Sequence, residues 1–97
     1  MQVLVPNTED ASVEKHVPVI KVDGNKVTVE VGSTPHPMIK EHYIEWIYIQ
    51  TEKGGQRKEL APDEKPSVEF ALTDDDTLEA AFAYCNLHGL WKADADN

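Results

Sequence analysis

Five side chains in this sequence could bind one metal ion, namely its four histidines and its only cysteine. They are His16, His36, His42, His88 and Cys85. Each histidine lies in a predicted loop or at the end of a predicted strand, and none lies inside an apolar run. His88 follows Cys85 closely enough for one turn to present a thiolate and an imidazole together. Both groups become good ligands once a metal displaces their protons.

The number of donors indicates which metal they would suit. Structural zinc is normally closed by four ligands, and this set has five. Mixed nitrogen and sulphur donors suit iron or copper, and the order of affinities alone would favour copper. Five protein donors leave one position of an octahedron open for a small substrate. This count favours iron, and with it redox chemistry.

Two other classes of protein fit part of the pattern. A blue-copper electron carrier would use Cys85, His88 and His36. However, no methionine follows His88 to serve as the weak axial ligand, and His16 and His42 would have no role. An interaction module without metal would make the positions of all five donors a coincidence.

The segments between these donors predict an antiparallel β-sandwich of six or seven short strands. Asp23–Asn25 predicts a tight hairpin turn, because Gly24 tolerates a positive φ. His36 lies between two prolines and is therefore on a stiff loop. Gly54–Gly55 predicts a further turn. The predicted strands are residues 17–22, 26–31, 42–50, 68–72, 78–84 and 90–92, of which 78–84 would also suit a helical turn.

Composition excludes several classes of protein. The 97 residues allow one domain, with 40% hydrophobic and 28% charged residues. The net charge of -9 argues against nucleic acid or an anionic membrane as a partner. No long apolar stretch predicts a signal peptide or a membrane span, so we expect a cytoplasmic protein. Trp46 and Trp91 are expected in the core.

Four motifs in order resemble the superoxide reductase family, specifically the catalytic iron domain of desulfoferrodoxin and the one-iron neelaredoxin type. The resemblance runs from about Val13 to Lys92. The motifs are Glu14–Pro18, His36–Met38, His42–Ile47 and Tyr84–Trp91.

The resemblance implies an immunoglobulin-like antiparallel β-sandwich of about seven strands that holds one mononuclear iron. It places the four histidines in a plane around the iron, with Cys85 axial. The position matching Glu14 can occupy the open site in the ferric state, and that matching Lys15 lies beside the open face. The implied reaction is the one-electron reduction of superoxide to hydrogen peroxide, with rubredoxin as a suitable electron donor.

Residues 1–13 are expected to form a loosely ordered lead-in, followed by the iron-binding domain at 14–97. Desulfoferrodoxins carry an N-terminal four-cysteine iron module, whereas this sequence has no cysteine before Cys85. A homo-oligomer, either a dimer or a tetramer, is expected.

Overall fold

The computed structural model describes residues 6–7, 13–34 and 36–95. It contains one helical turn, Val13–His16, and seven strands. The strands are β1 (Pro18–Asp23), β2 (Lys26–Val31), β3 (Ile44–Thr51), β4 (Gly54–Glu59), β5 (Ser67–Ala71), β6 (Leu78–Cys85) and β7 (Gly89–Asp94). Among the described residues, no helix is long and apolar enough to span a membrane.

The strands form two antiparallel sheets that pack as a sandwich. One sheet has the order β1-β2-β5, and the other has the order β4-β3-β6-β7. Val27, Val29 and Val31 alternate along β2 and are fully or almost fully buried, as expected from a strand with one core face. Ile47 and Ile49 of β3 face them across the core. The predicted antiparallel β-sandwich is therefore confirmed.

Several local predictions hold with shifts of one or two residues. The hairpin turn falls at Gly24 and Asn25, and Gly24 has a φ of 60°. The segment beginning at Leu78 is a strand and not a helical turn. The predicted lead-in, residues 1–13, lies mostly outside the described residues. Asn7 is described, and its side chain exchanges two hydrogen bonds with the backbone of Lys92.

The sequence did not predict β4, and the predicted turn at Gly54–Gly55 was wrong by two residues. The turn falls at Glu52 and Lys53, and both glycines are the first residues of β4. All six residues of β4 are exposed, so it lacks the apolar alternation that marks a strand. Gly55 lies against the Tyr48 side chain, and a Cβ at this position would clash with the tyrosine ring and its hydroxyl oxygen.

Trp46 also differs from its prediction. Trp91 is buried in the interior, with 2% of its surface exposed. Trp46 instead lies half-buried among the partly exposed positions of β3, stacked on Tyr84 at 5.6 Å and covered by Arg57. Alternation from buried Ile44 would bury Trp46 as well, but the register of β3 against β6 shifts between these two residues, so Trp46 falls on the outer face and Ile47 in the core.

Candidate metal centre

The chain segments that carry the five predicted donors meet at one end of the sandwich. The helical turn that ends at His16 leads directly into β1, and the β2–β3 loop carries His36 and His42. Cys85 is the last residue of β6, where it pairs with Ile44 at the start of β3. His88 lies in the turn between β6 and β7. The fold therefore brings together donors from three separate segments, namely the helical turn, the β2–β3 loop and the β6–β7 turn with the end of β6.

The ring nitrogens of three histidines lie close together. His16 Nε2 is 3.1 Å from His36 Nε2 and 3.1 Å from His88 Nδ1. Two nitrogens that each lie about 2.1 Å from one ion, at right angles, are about 3 Å apart. The donor atoms of His16, His36, His42 and Cys85 all lie within 4.8 Å of one another. These spacings suit ligands of a single ion.

The four imidazole rings form a four-sided ring. Centroids of neighbouring rings are 4.6 Å apart for His16 and His36, 4.7 Å for His36 and His42, 5.0 Å for His42 and His88, and 4.9 Å for His88 and His16. The diagonal from His16 to His42 is 6.2 Å. Each ring is steeply inclined to both neighbours, by 79° to 87°. The four imidazoles thus surround a common centre.

Two hydrogen-bonding features show that this centre suits a cation. His36 Nδ1 donates to the Pro37 carbonyl oxygen at 2.7 Å, because a carbonyl can only accept. In neutral His36 this leaves the Nε2 lone pair directed towards His16. His42 Nε2 is buried without a hydrogen-bond partner in the described part of the chain. A buried polar nitrogen is costly unless something binds it, and a metal ion would do so.

Cys85 adds the sulphur donor. Its side chain is fully buried, and Sγ lies 4.0 Å from His88 Nδ1. Burial raises the pKa of the Cys85 thiol, and the nearby charge of Glu45 raises it further. The backbone N–H groups of Leu87 and His88 oppose this shift by interacting with the sulphur. A bound cation would displace the thiol proton and stabilise the thiolate.

Burial also keeps two imidazoles neutral. Desolvation lowers the pKa of His36 from 6.5 to about 4, and the charges of the other three histidines lower it as well. The pKa of His42 is lowered, first by desolvation and then by His88, His16 and Lys15. Neutral imidazole is the form that binds metals. His36 and His42 are therefore ready donors at neutral pH.

The donor set fits a mononuclear metal with nitrogen and sulphur ligands, and it does not support the blue-copper alternative. A blue-copper site uses two histidines and one cysteine. Here His16 and His42 lie in the same ring as His36 and His88. Met38 is placed elsewhere, since it packs against the core and its sulphur accepts the Ile44 N–H at 3.3 Å.

The two other predicted site residues belong to the helical turn. Lys15 is exposed, and its charge acts on His42. It has no ion-pair partner among the described residues. Glu14 lies in the same turn, but its side chain is outside the described part of the structure.

Asn86 is a positioning residue that the sequence reasoning missed. Its side-chain oxygen accepts the Tyr43 N–H at 3.0 Å, and its amide donates to the Glu41 carbonyl at 3.1 Å. Its backbone N–H donates to the Tyr43 carbonyl at 3.2 Å. These bonds fasten the residue after Cys85 to both neighbours of His42. An asparagine beside a donor was the only signal, and polar turn residues are too common for it to be distinctive.

Asn86→Ala is expected to weaken metal binding by about 10- to 100-fold, the range for groups that orient metal ligands. The substitution removes both side-chain bonds that hold the segment of His42 against Cys85. Affinity is measured by competition with a chelator.

Asn25→Ala is the matched control, because the Asn25 side chain also bonds across to another loop, at Asp74, but away from the donors. Metal affinity in this control should stay at the wild-type value. The positioning role would be wrong if Asn86→Ala lowered the melting temperatures of metal-free and metal-loaded protein equally and left the affinity unchanged.

Trp91 packs beneath the cluster. Its ring centroid is 5.0 Å from that of His16, and its Nε1 donates to the His88 carbonyl at 3.0 Å. The indole therefore braces two donors from the core side and excludes water there.

An antiparallel β-sandwich with four imidazoles and one thiolate at its edge defines a class of small metal-binding redox protein. The desulfoferrodoxin family model matches residues 8–94, and this chain belongs to that family.

Relatives agree with this assignment. A desulfoferrodoxin from Clostridium acetobutylicum is 48% identical over 94 residues, which cover 97% of this chain and 73% of the relative. The superoxide reductase structure from Treponema pallidum has a TM-score of 0.90 at 51% identity and covers 93% of this chain and 74% of that chain. A one-iron superoxide reductase from Giardia intestinalis has a TM-score of 0.73 at 34% identity, covering 87% and 99%.

Proposed function

We propose that this chain is a superoxide reductase, which reduces superoxide by one electron to hydrogen peroxide at one mononuclear iron. The observation that carries this proposal is the convergence of His16, His36, His42, His88 and Cys85 around one centre. The similarity to proteins named superoxide reductase supports it. Five donors exceed the four of a structural zinc site.

Bound iron would supply the electron by passing from the ferrous to the ferric state. One superoxide ion, that electron and two protons give one molecule of hydrogen peroxide, and no dioxygen is released. The chain itself has to hold the metal, admit an anion and give protons access. His42 and His88 are only half-buried, so the cluster has a side near solvent from which protons can come.

The imidazoles and the thiolate would have different roles at the metal. Because neutral imidazoles add no charge, a ferrous ion held by them and by one thiolate would carry a net charge of +1, which would attract superoxide. Cys85 would supply an electron-donating thiolate, and the Leu87 and His88 N–H groups that interact with its sulphur would moderate that donation. The Pro37 carbonyl orients the His36 imidazole, and Trp91 packs against the His16 ring and binds the His88 backbone carbonyl.

The proposal is tested with iron-loaded protein in the ferrous state. We expect about one iron per chain, a visible thiolate-to-iron band on oxidation, and one hydrogen peroxide per superoxide consumed. Dioxygen release in a one-to-one ratio with peroxide would indicate a dismutase instead. Stoichiometric copper with an intense blue band would establish the electron-carrier alternative.

Lys15→Ile is expected to slow the reaction of the ferrous protein with superoxide by about tenfold. A charge about 6 Å from an anion contributes about 0.7 kcal/mol in water and about 3 kcal/mol at an effective dielectric constant of 20. At physiological salt, charges further away than about 8 Å are largely screened. The distant acidic surface therefore has little effect on superoxide at the centre, whereas a neighbouring lysine still attracts it. Lys15→Arg should largely preserve the rate, which pulse radiolysis measures.

The control is Lys58→Ile, since Lys58 is also exposed and unpaired in the described part of the chain but lies on β4. The wild-type rate should fall with added salt. If it rises with salt and Lys15→Ile matches the wild type, the distant acidic surface controls approach.

The family resemblance alone supports a role for Glu14, which would cover the bound iron reversibly in its ferric state and would not act as a proton donor. Glu14→Ala should alter the ferric spectrum and leave superoxide reduction by the ferrous protein within about twofold of the wild type. Stopped-flow spectra of both states check this. A large loss of the bimolecular rate would contradict the lid role.

Three wider features complete the proposal. The iron-binding domain spans residues 14–97 and works in the cytoplasm, where the buried Cys85 thiol stays reduced. Rubredoxin, or a similar small iron–sulphur protein, returns the electron. A homo-oligomer, dimer or tetramer, adds buried surface to a small core.

A further inference from the structure

Three exposed apolar side chains border the metal centre. In the described residues, four large hydrophobic side chains are strongly exposed, namely Val13 (60%), Val22 (60%), Ile39 (54%) and Leu87 (59%). Val13 begins the turn that ends at His16, and Leu87 lies between Cys85 and His88. Ile39 exchanges two backbone hydrogen bonds with His42, at 3.0 and 3.1 Å. We call Val13, Ile39 and Leu87 the apolar rim.

The rim also carries unpaired positive charge. Five of the nine lysine and arginine side chains form ion pairs within the described part of the chain. The other four are Lys15, Lys40, Lys58 and Lys65, all exposed. Lys15 adjoins His16, and Lys40 lies between Ile39 and His42. In a chain with a net charge of -9, two of the four unpaired cations thus lie beside the metal centre.

Attraction of superoxide accounts for the exposed lysines beside the metal centre, but it does not account for the exposed apolar side chains there. A small hydrated anion gains nothing from Ile39 or Leu87, whereas exposed apolar side chains on several segments around one site can contact the surface of a partner protein. The proposed reaction requires one electron to be returned to the metal in every cycle. His42 and His88 are half-buried, so the donors that a second redox protein could approach most closely lie at this rim.

We infer that the apolar rim with Lys15 and Lys40 is the docking surface for a small acidic electron-transfer protein. This inference rests on the proposed function. The partner's reduced centre loses one electron and the ferric centre gains it, and no bond forms or breaks. Transient redox complexes bury little surface, and apolar contacts at the centre with charges around them suit such a complex.

A second copy of this chain fits the surface less well. It would bring Lys15 and Lys40 against the same lysines, and like charges facing each other oppose binding at this surface. It would also cover the centre that superoxide has to reach. An acidic partner that binds transiently places negative charges against these lysines. It also leaves the centre open to superoxide once it has dissociated.

The test measures reduction of the ferric, iron-loaded protein by reduced rubredoxin in a stopped-flow instrument. Val13→Ser and Ile39→Ser should each lower the second-order rate by about fivefold or more. Val22→Ser is the matched control, because Val22 is as exposed as Val13 but lies on β1, and its rate should equal the wild-type rate. Removing the Lys40 charge with Lys40→Gln should flatten the fall of the rate with salt, whereas Lys58→Gln should not.

The same proteins, reduced chemically, are then mixed with superoxide. Val13→Ser and Ile39→Ser should react as the wild type does, since neither changes a charge or a donor. If wild-type protein fails to reduce superoxide, the proposed function is wrong, whatever rubredoxin does. If superoxide reduction is normal but rubredoxin reduces the rim variants as fast as it reduces Val22→Ser, the proposed function stands and only the proposed docking surface is wrong. Trp46→Ser is tested in the same way. If it alone slowed reduction by rubredoxin, the electron-transfer partner would bind the outer face of the β4-β3-β6-β7 sheet.

Discussion

Cys85→Ser is expected to abolish the visible thiolate-to-iron band and to slow superoxide reduction by about a hundredfold or more. Groups that merely orient metal ligands contribute about 10- to 100-fold, so loss of a donor should exceed that range. Iron content, the spectrum of the oxidised protein and the bimolecular rate are measured on the same sample.

The effect is large because nothing else can replace the sulphur. Cys85 is the only cysteine, is fully buried and is fixed by its pairing with Ile44. A serine hydroxyl at this position keeps its proton near neutral pH and therefore supplies no anionic ligand. The imidazoles remain, so we expect some iron to bind with altered electronic properties.

Ala83→Ser is the matched control, since it adds a hydroxyl at another fully buried position of the same strand without changing a donor. It should lose stability but keep the band and the rate per bound iron. A Cys85→Ser protein that binds iron and still shows the band would exclude the thiolate from the centre.

The β-sandwich could be predicted because its core strands carry their pattern locally. Val27, Val29 and Val31 alternate along one strand, and the Gly24 turn fixes how that strand pairs. β4 could not be predicted, because an exposed edge strand has no buried face to leave a pattern. Its position depends on pairing with β3, which is a tertiary interaction.

The five donors could be named from the sequence because histidine and cysteine are few and chemically distinctive. Their arrangement could not be derived, since it depends on how β3 and β6 pair at Ile44 and Cys85. The contribution of Asn86 was equally hidden, because its partners Glu41 and Tyr43 lie more than forty residues away. Spacing along the chain therefore identifies the donors, and pairing across the sheets positions them.

Removing the metal is expected to lower the melting temperature by about 15 °C or more. A ligand present at about a thousand times its dissociation constant stabilises the folded state by about 4 kcal/mol, and each kcal/mol shifts the melting temperature of such a domain by about 4 to 8 °C. The donors come from three separate segments, so the unfolded chain cannot bind the ion in the same way. Calorimetry of metal-loaded and metal-free protein measures the difference.

The metal-free protein should also lose stability as the pH falls below about 6.5. Burial lowers the pKa of His36 to about 4, whereas its value in the unfolded chain is 6.5. Between these values the unfolded chain binds more protons than the folded protein, so the free energy of unfolding rises with pH. The lowered pKa of His42 acts in the same direction. A flat pH profile between 4 and 6.5 would contradict the buried, neutral state of His36.

His42→Ala separates metal binding from packing, because it should have different effects in the two forms. In metal-loaded protein it removes a donor, and the melting temperature should fall. In metal-free protein it removes a buried nitrogen that has no partner in the described part of the chain, together with a ring beside three other imidazoles. An unsatisfied buried polar group costs about 1 to 3 kcal/mol, and relief of that cost offsets the packing that the imidazole ring provides. The metal-free melting temperature should therefore change little, and an equal fall in both forms would show that His42 serves packing alone.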